Sequence, residues 1–177
     1  MMKHNIVLIG FMGSGKSSVG ELLAKRLSYK FCDSDRLIEN KAGQTISRIF
    51  DSYGEEYFRD LESKLLEEMQ TSLDYAVLST GGGMPLREKN MQLLRELGYV
   101  VYLKASKKTT IKRLRGDRTR PLLKGEDFEQ RVDRLLTVRI PIYEKAAHKI
   151  IETDDKTVNE IVAEIIEEWT AIAGKED

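Results

Sequence analysis

The residues of this chain best suited to chemistry are a lysine and a serine that close a glycine-rich stretch. Residues 10–17 read Gly-Phe-Met-Gly-Ser-Gly-Lys-Ser and fit the pattern G-x-x-x-x-G-K-[ST]. In such a loop, backbone N–H groups and the N-terminus of the next helix converge on one phosphate group, and the glycines allow the tight turn. Lys16 is then expected to reach the β- and γ-phosphates of a nucleotide, and Ser17 to hold Mg²⁺.

The segments on both sides of this stretch support its interpretation as a phosphate-binding loop, or P-loop. The apolar residues 6–9 predict a buried strand before it, and apolar residues recur at helical spacing after it, at Val19, Leu22, Leu23 and Leu27. The alternative, a Gly/Ser-rich turn with a solvated lysine, requires neither flank. We therefore predict a nucleotide site formed by Gly13, Ser14, Gly15, Lys16, Ser17 and Ser18.

Length and composition favour one domain in a reducing compartment. The chain has 177 residues, and its 29 basic and 29 acidic side chains cancel, which disfavours binding to nucleic acid or an anionic membrane surface. A single cysteine, Cys32, excludes an internal disulfide and a thiolate metal cluster and favours the cytoplasm. We expect no membrane-spanning helix, and no signal peptide at residues 6–12, because the P-loop occupies the place of a cleavage site.

Short apolar runs alternate with longer helical patterns along the chain. The predicted strands are residues 5–9, 30–33, 75–79, 99–103 and 148–151. These runs lack the alternation of apolar and polar residues that is typical of half-exposed strands. The segments between consecutive strands are long enough for helical crossovers. We predict a three-layer α/β/α fold with a five-stranded parallel sheet in one domain, residues 1–177. Trp169 lies on the apolar stripe of the last helix and is interpreted as a core residue.

Two aspartates follow the second predicted strand, where ligands gather in open α/β sheets. Asp33 is predicted to face the metal beside Ser17, which leaves Asp35 to orient or deprotonate an acceptor hydroxyl. The alternative is that Ser34 or Asp35 merely caps a helix that begins at Arg36.

Three consecutive glycines, residues 81–83, follow the third predicted strand, where an acidic residue often assists Mg²⁺ in P-loop proteins. No acidic residue stands there. The glycines predict that a ligand or another chain segment approaches the backbone closely, with N–H groups available as donors. A loose turn before a helix is the alternative.

A basic segment comes later in the chain, with Lys112, Arg113, Arg115, Arg118, Arg120 and Lys124. Asp117 alone opposes them, and Gly116 and Pro121 interrupt the segment. The pattern predicts a flap that closes over the transferring phosphate and places guanidinium groups against its charge. A solvated basic loop is the alternative, and nucleic-acid binding is disfavoured because no aromatic residues lie between the arginines.

Two further arginines stand in unusual positions. Arg139 lies on an apolar helical stripe with Phe128, Val132, Leu135 and Tyr143. A charge at that position is predicted to face a polar cleft. Arg59 could simply pair with Glu55 or Glu62 on its own helix. Two arginines that converge on one point would instead suit bidentate capture of a carboxylate on the acceptor.

Taken together, these motifs resemble the shikimate kinase family over essentially the whole chain. The shared motifs are the P-loop, Asp-Ser-Asp at residues 33–35, Phe58-Arg59, the three glycines, Arg-Pro-Leu-Leu at residues 120–123, and Arg139 with Tyr143-Glu144. The resemblance implies a five-stranded parallel sheet of the nucleoside-monophosphate-kinase type. It also implies phosphorylation of the 3-hydroxyl of shikimate by ATP.

The resemblance further implies how the acceptor is bound. Asp35 would bind and polarise the 3-hydroxyl of shikimate. The other contacts with shikimate would come from Arg59, Gly82 and Arg139, with both arginines on its carboxylate. These contacts would belong to an acceptor-binding helical segment at about residues 34–62. Pro141 follows Arg139 closely and is expected to kink that helix and shift Arg139.

On the nucleotide side, the resemblance implies that Asp33 holds magnesium-bound waters beside Ser17. Arg120 would reach the phosphates from a mobile lid at about residues 112–126, and Arg113 would pack on the adenine. We expect direct phosphoryl transfer, with Lys16, Asp35 and Arg120 as the catalytic residues.

Two other functions stay open at this level. One is another kinase of the same fold that acts on gluconate or a nucleoside monophosphate. The Asp-Ser-Asp and Arg139 pattern discriminates here, since a nucleotide acceptor has no obvious need for a hydroxyl-orienting aspartate at Asp35. The other is a nucleotide-binding switch, because residues 51–54 fit the pattern D-x-x-G. That pattern follows a helix rather than a strand, so we interpret it as a helix-breaking turn. We expect a monomer, because the apolar helical stripes are explained by packing on the sheet.

Overall fold

Apolar runs of the sequence form a parallel sheet in the computed structural model, which describes residues 4–115 and 127–173. The strands within these ranges are β1 (Ile6–Ile9), β2 (Lys30–Asp33), β3 (Ala76–Ser79), β4 (Tyr99–Lys104) and β5 (Lys149–Glu152). The α-helices are α1 (Lys16–Leu27), α2 (Ser34–Ala42), α3 (Ile46–Ser72), α4 (Glu88–Leu97), α5 (Lys107–Leu114), α6 (Phe128–Ala146) and α7 (Val158–Ala173). A short 3₁₀ helix, Met84–Leu86, precedes α4.

The five strands pair in the order β2-β3-β1-β4-β5, and all four pairings are parallel. Successive residues of the central strand β1 face opposite sides: Ile6 and Leu8 belong to the core under α1 and α7, whereas Val7 and Ile9 belong to the core under α3, α4 and α6. A strand that is buried on both faces has no need of a polar face. This explains the continuous apolar runs, and it confirms the predicted three-layer α/β fold.

The strand bounds differ from the predicted ones by at most one residue at either end. Trp169 is buried in the core, as predicted. Gly54 interrupts α3 with φ 82° and ψ 176°, a conformation that strongly favours glycine, so the helix does break at the last residue of the predicted turn, residues 51–54. In contrast, α6 continues through Pro141 without a break. None of the helices in the described ranges is long and apolar enough to cross a membrane.

The parallel sheet places the ends of β1, β2 and β3 at one edge of the molecule. The P-loop leaves β1, Asp33 ends β2, and the three glycines come shortly after β3. Since β3 lies between β1 and β2, these three exits are neighbours in space. The topology therefore brings three separate sequence motifs to one crevice, where ligands bind in open α/β sheets.

At the opposite end of the sheet, the side chain of Asn5 ties three strands together. Its Nδ2 donates hydrogen bonds to the backbone oxygens of Leu73 (3.0 Å) and Leu97 (2.9 Å), which lie just before β3 and β4. Its Oδ1 accepts one from the backbone N–H of Ala76 at 3.1 Å. Asn5 is completely buried. Buried backbone groups need hydrogen-bond partners, so Asn5 helps to fix how the three strands begin.

We predict that Asn5→Ala lowers the free energy of unfolding by about 2–4 kcal/mol, because it leaves three buried backbone groups without their partner. Urea denaturation of the variant and the wild type measures this difference. Asn40→Ala, at an exposed position of α2, is the control and should change the free energy by less than about 0.5 kcal/mol. Equal stabilities of the two variants would contradict this role of Asn5.

Candidate active site

The P-loop holds Lys16 inside its own turn. Gly15 has φ 93° and precedes α1, so that Lys16 is the first residue of the helix. The Nζ of Lys16 donates to the backbone oxygens of Gly10 at 2.8 Å and Phe11 at 2.9 Å. The side chain is 8% exposed. An ammonium group is therefore fixed beside the N-terminus of a helix, which is the arrangement that attracts phosphate.

Asp33 performs two tasks with its two carboxylate oxygens. Oδ1 accepts hydrogen bonds from the backbone N–H groups of Asp35 (3.0 Å) and Arg36 (3.1 Å), which caps α2. Oδ2 accepts one from the hydroxyl of Ser17 at 3.1 Å. The alternative that Ser34 or Asp35 caps a helix beginning at Arg36 is therefore wrong, because the helix begins at Ser34 and Asp33 is the cap. Asp33 can cap α2 and contact Ser17 at the same time. Neither contact excludes a role of Asp33 in metal binding.

The three glycines lie where charged side chains approach the backbone. An added Cβ at Gly81 would be 2.6 Å from Oδ1 of Asp35, and one at Gly83 would be 2.2 Å from Nη1 of Arg59. Any larger residue would displace these groups. The prediction of a close approach by another chain segment fits this packing. The expectation that the N–H groups are available as donors is wrong for Gly81, whose N–H donates to Oγ of Ser34 at 2.8 Å.

Arg59 is buried and clamped by two glutamates of its own helix. Its Nη1 donates to Glu62 at 2.7 Å and its Nη2 to Glu55 at 2.9 Å. Arg59 therefore forms both of the ion pairs that its spacing from Glu55 and Glu62 allows. Glu62 is completely buried, whereas the side chain of Glu55 is half exposed. Burial raises the pKa of Glu62 to about 7, against the opposing effect of Arg59 and with a further increase from Asp35.

Arg139 is buried in the same region and is held by aromatic groups. It is 3% exposed, and its guanidinium lies 5.6 Å from the centroid of the Phe11 ring, a cation–π contact. The hydroxyl of Tyr143, one turn later on α6, donates to the backbone oxygen of Gly82 at 2.5 Å. The expectation that Arg139 faces a polar cleft is consistent with this position. On the apolar stripe itself, Leu136 and not Leu135 is the buried leucine.

These side chains line two adjoining cavities. The first, here called the P-loop cavity, is lined by Gly13, Gly15, Lys16, Ser17, Ser18 and Asp33, among others. The second, the arginine cavity, is lined by Phe50, Phe58, Arg59, Glu62, Gly83 and Arg139, among others. The residues common to both are Met12, Asp35, Gly81 and Gly82. Asp35 therefore stands between a phosphate-binding loop and a pocket with two buried arginines.

Three other predicted site residues remain to be placed, namely Ser14, Arg113 and Arg120. Ser14 is buried within the P-loop, with its Oγ 3.5 Å from Nζ of Lys16. Arg113 is exposed on α5 and donates to the backbone oxygen of Gly13 at 3.1 Å, so it lies beside the P-loop. Arg120 lies outside the described residues, as does the predicted lid beyond residue 115.

Sequence reasoning missed part of this site. The hydrogen bond from the Gly81 N–H to Ser34 and that from Tyr143 to Gly82 join elements that are far apart in the chain. The spacing identifies Glu62 only as an ion-pair partner, and it does not reveal that this residue also lines the arginine cavity. Helical spacing from Arg59 was the only available signal.

Comparison with known proteins identifies the same family, and the matches cover most of the chain. A family model described as shikimate kinase matches residues 12–170. The chain belongs to the shikimate kinase family. A shikimate kinase of Thermodesulfovibrio yellowstonii is 43% identical over 169 residues, which are 96% of this chain and 96% of that protein. A solved shikimate kinase from Acinetobacter baumannii, in complex with shikimate, has a TM-score of 0.90 and 38% identity, and the match covers 99% of this chain and 95% of that one.

Membership of the shikimate kinase family confirms the predicted family, fold and enzyme class. A gluconokinase from Sinorhizobium meliloti also matches, but with 19% identity and a TM-score of 0.63. That similarity shows a shared fold only. The roles of individual site residues stay predictions from the motifs and from the geometry described above.

The raised pKa of Glu62 predicts a specific dependence of stability on pH. Between its ordinary pKa of 4.5 and the raised pKa of about 7, the folded protein binds this proton more tightly than the unfolded chain does, at the expense of the charged form that pairs with Arg59. Stability from this group is therefore lost as the pH rises, by up to about 1.4 kcal/mol per pH unit within that window. Glu62→Gln removes the titration. Urea denaturation from pH 5 to about pH 8 should show the wild type losing stability relative to this variant, and a constant difference would contradict the assignment.

Proposed function

We propose that this protein transfers the γ-phosphoryl group of ATP to the 3-hydroxyl of shikimate by direct in-line displacement. The observation that supports an acceptor with a carboxylate is the environment of Arg139, and the similarity to proteins named shikimate kinase supports shikimate in particular. Its guanidinium is buried in the arginine cavity, and within residues 4–115 and 127–173 no carboxylate lies at ion-pair distance from it. A buried charge requires a counter-charge. An acceptor that carries a carboxylate supplies one, and the guanidinium can bind it in a bidentate manner.

Arg59, which also lines the arginine cavity, supports the same assignment. The buried Glu62 fixes the orientation of its guanidinium, whereas the partly exposed Glu55 is the more easily replaced of its two partners. An incoming carboxylate can therefore take over the position of Glu55 without exposing the buried pair. An arginine held in this way loses little further entropy when it binds a ligand.

Asp35 is placed to act on the hydroxyl of the acceptor. It lines both cavities, so that an alcohol bound in the arginine cavity can present its oxygen toward the P-loop. A carboxylate at this point orients the hydroxyl and accepts its proton as the new P–O bond forms. No covalent intermediate with the protein is required, because positioning and charge stabilisation account for most of the catalysis of phosphoryl transfer.

The nucleotide side of the site would be formed by the P-loop amides and Lys16. We propose that Mg²⁺ accompanies ATP and is held by Ser17 and Asp33, whose oxygens are 3.1 Å apart. Hydroxyl and carboxylate oxygens suit this cation, which usually keeps several waters and bonds to substrate phosphates. Consistent with that, the described residues contain no cluster of three or more His, Cys, Asp or Glu side chains that could hold a metal alone. When bound, the ion would reduce the negative charge on the phosphates.

The remaining assignments are also proposals. We place Arg120 on the transferring phosphate within a lid at about residues 112–126, and Arg113 on the adenine face. Residues 34–62 would form the acceptor-binding segment of a single domain. We further propose a cytoplasmic monomer. Its support is the buried free thiol of Cys32 and the apolar stripe of α7, which is covered by the molecule's own sheet.

The substrate is tested by measuring ADP release with shikimate, gluconate and nucleoside monophosphates side by side. We expect turnover that depends on shikimate and on Mg²⁺, with little or none for the other acceptors. Turnover with gluconate or a nucleotide instead would assign the site to another kinase of this fold. ATP binding without any acceptor-dependent turnover would indicate a regulatory module.

Replacement of Arg139 should affect acceptor binding more than the chemical step. We predict that Arg139→Ala raises the KM for shikimate by about 10- to 100-fold, because it removes hydrogen bonds to a charged group. Arg139→Lys keeps the charge but loses the bidentate geometry, so it should restore only part of the affinity. Steady-state kinetics of both variants are compared with those of Arg134→Ala, which removes an exposed arginine from the same helix. A normal KM in Arg139→Ala would reject this contact.

Replacement of Asp35 should have the opposite kinetic signature. Asp35→Asn keeps the shape of the side chain but removes its charge and its ability to accept a proton. We predict that kcat falls by about 10²- to 10⁴-fold while the KM for shikimate changes much less. Asp51→Asn, at an exposed position of α3, serves as the control. Near-normal turnover in Asp35→Asn would remove this residue from the mechanism.

A further inference from the structure

A third cavity is lined mostly by residues of α2 and α3. Its lining includes Lys41, Tyr53, Tyr57, Lys64, Leu65 and Glu68. It shares no lining residue with the arginine cavity or the P-loop cavity. We call it the α2–α3 groove. Several of its lining residues fall within the proposed acceptor-binding segment, residues 34–62, but the activity proposed above assigns a substrate contact to none of them.

Two exposed tyrosines form one wall of the α2–α3 groove. Tyr53 is 57% exposed and Tyr57 is 44% exposed, and their ring centroids lie 4.7 Å apart at an interplanar angle of 34°. The break at Gly54 separates the helical pieces that carry them. Tyrosine provides a large, rigid contact surface at low conformational cost, so an exposed pair at the mouth of a groove is suited to binding a flat apolar group.

The rim of the groove carries a small excess of positive charge. Lys41 donates to Glu68 across the two helices, and Lys64 is exposed one turn before Glu68. Two lysines and one glutamate sum to one positive charge. Part of the lining is apolar and includes Leu61 and Leu65. A ligand that fits both features has a flat hydrophobic body and a single negative charge.

We propose that the α2–α3 groove binds a small aromatic carboxylate, with its ring against Tyr53 and Tyr57 and its carboxylate near Lys64. This is a second ligand site, separate from the site of phosphoryl transfer. Phosphate esters fit less well, because the groove lacks the N–H cradle of a P-loop and carries Glu68 at its rim.

A ligand bound in the groove should change the affinity of the protein for its acceptor. This part of the inference rests on the function proposed above. Ile38 lines the groove three residues after Asp35 on α2, and Leu61 lines it directly before Glu62 on α3. A ligand bound there therefore contacts two of the elements that line the arginine cavity. By linkage, a change in shikimate affinity caused by the ligand equals the change in ligand affinity caused by shikimate.

The test is a titration of the full-length protein with 3-phenylpropanoate, followed by nuclear magnetic resonance. 3-Phenylpropanamide is the uncharged comparison. We expect saturable binding of the carboxylate, and a loss of affinity of about tenfold in Lys64→Gln, which removes a charged contact. Tyr53→Ala should also weaken binding. Tyr75→Ala and Lys108→Gln alter an exposed tyrosine and an exposed lysine elsewhere and should leave the affinity unchanged.

Because the arginine cavity also attracts carboxylates, the titration is repeated at increasing shikimate concentrations. A separate site gives an apparent Kd for the probe that changes and then reaches a plateau. A Kd that rises without limit means that the probe occupies the acceptor site, and it would overturn the proposal. Absence of saturable binding, equal binding of the amide, or unchanged affinity in Tyr53→Ala and Lys64→Gln would overturn it as well. The titration without shikimate tests whether the groove binds the probe, even if shikimate is not the acceptor.

Discussion

The close packing of charged side chains against the backbone of residues 81–83 is the constraint on which the rest of the site depends. Ideal Cβ positions at Gly81 and Gly83 lie 2.6 Å from Asp35 and 2.2 Å from Arg59, so only glycine leaves these groups where they are. Burial of Arg59 would be costly without Glu62, and burial of Glu62 would be costly without Arg59. The glycines, the ion pair and the position of Asp35 thus require one another.

This constraint also joins the two halves of the reaction. Asp33 touches Ser17 of the P-loop, and two residues later Asp35 lines the arginine cavity. The end of β2 and the start of α2 therefore set the distance between the nucleotide side and the acceptor side. Ser34, between the two aspartates, accepts a hydrogen bond from Gly81 and ties this corner to the glycines. Phosphoryl transfer needs such fixed relative positions, because its catalysis consists mainly of orientation and charge stabilisation.

Much of this could be predicted from the sequence, for physical reasons. Strands buried on both faces leave continuous apolar runs, and the P-loop is a local motif with its own flanks, so the fold and the family were accessible. Contacts between segments that are distant in the sequence could not be predicted in this way. The capping role of Asp33, the bond from Gly81 to Ser34 and the part that Glu62 takes in the cavity wall depend on how α2 and α3 pack on the sheet. Spacing along one helix reveals only the partners of Arg59 on that helix.

The central claim is that Asp35 contacts the oxygen that receives the phosphate while Arg139 holds the acceptor's carboxylate. The most direct test is a crystal structure with shikimate and a non-hydrolysable ATP analogue. The account predicts an Asp35 oxygen within about 3 Å of the 3-hydroxyl, that hydroxyl facing the γ-phosphate, and the carboxylate on Arg139. Shikimate bound with its carboxylate away from Arg139, or with Asp35 turned out of the arginine cavity, would contradict it.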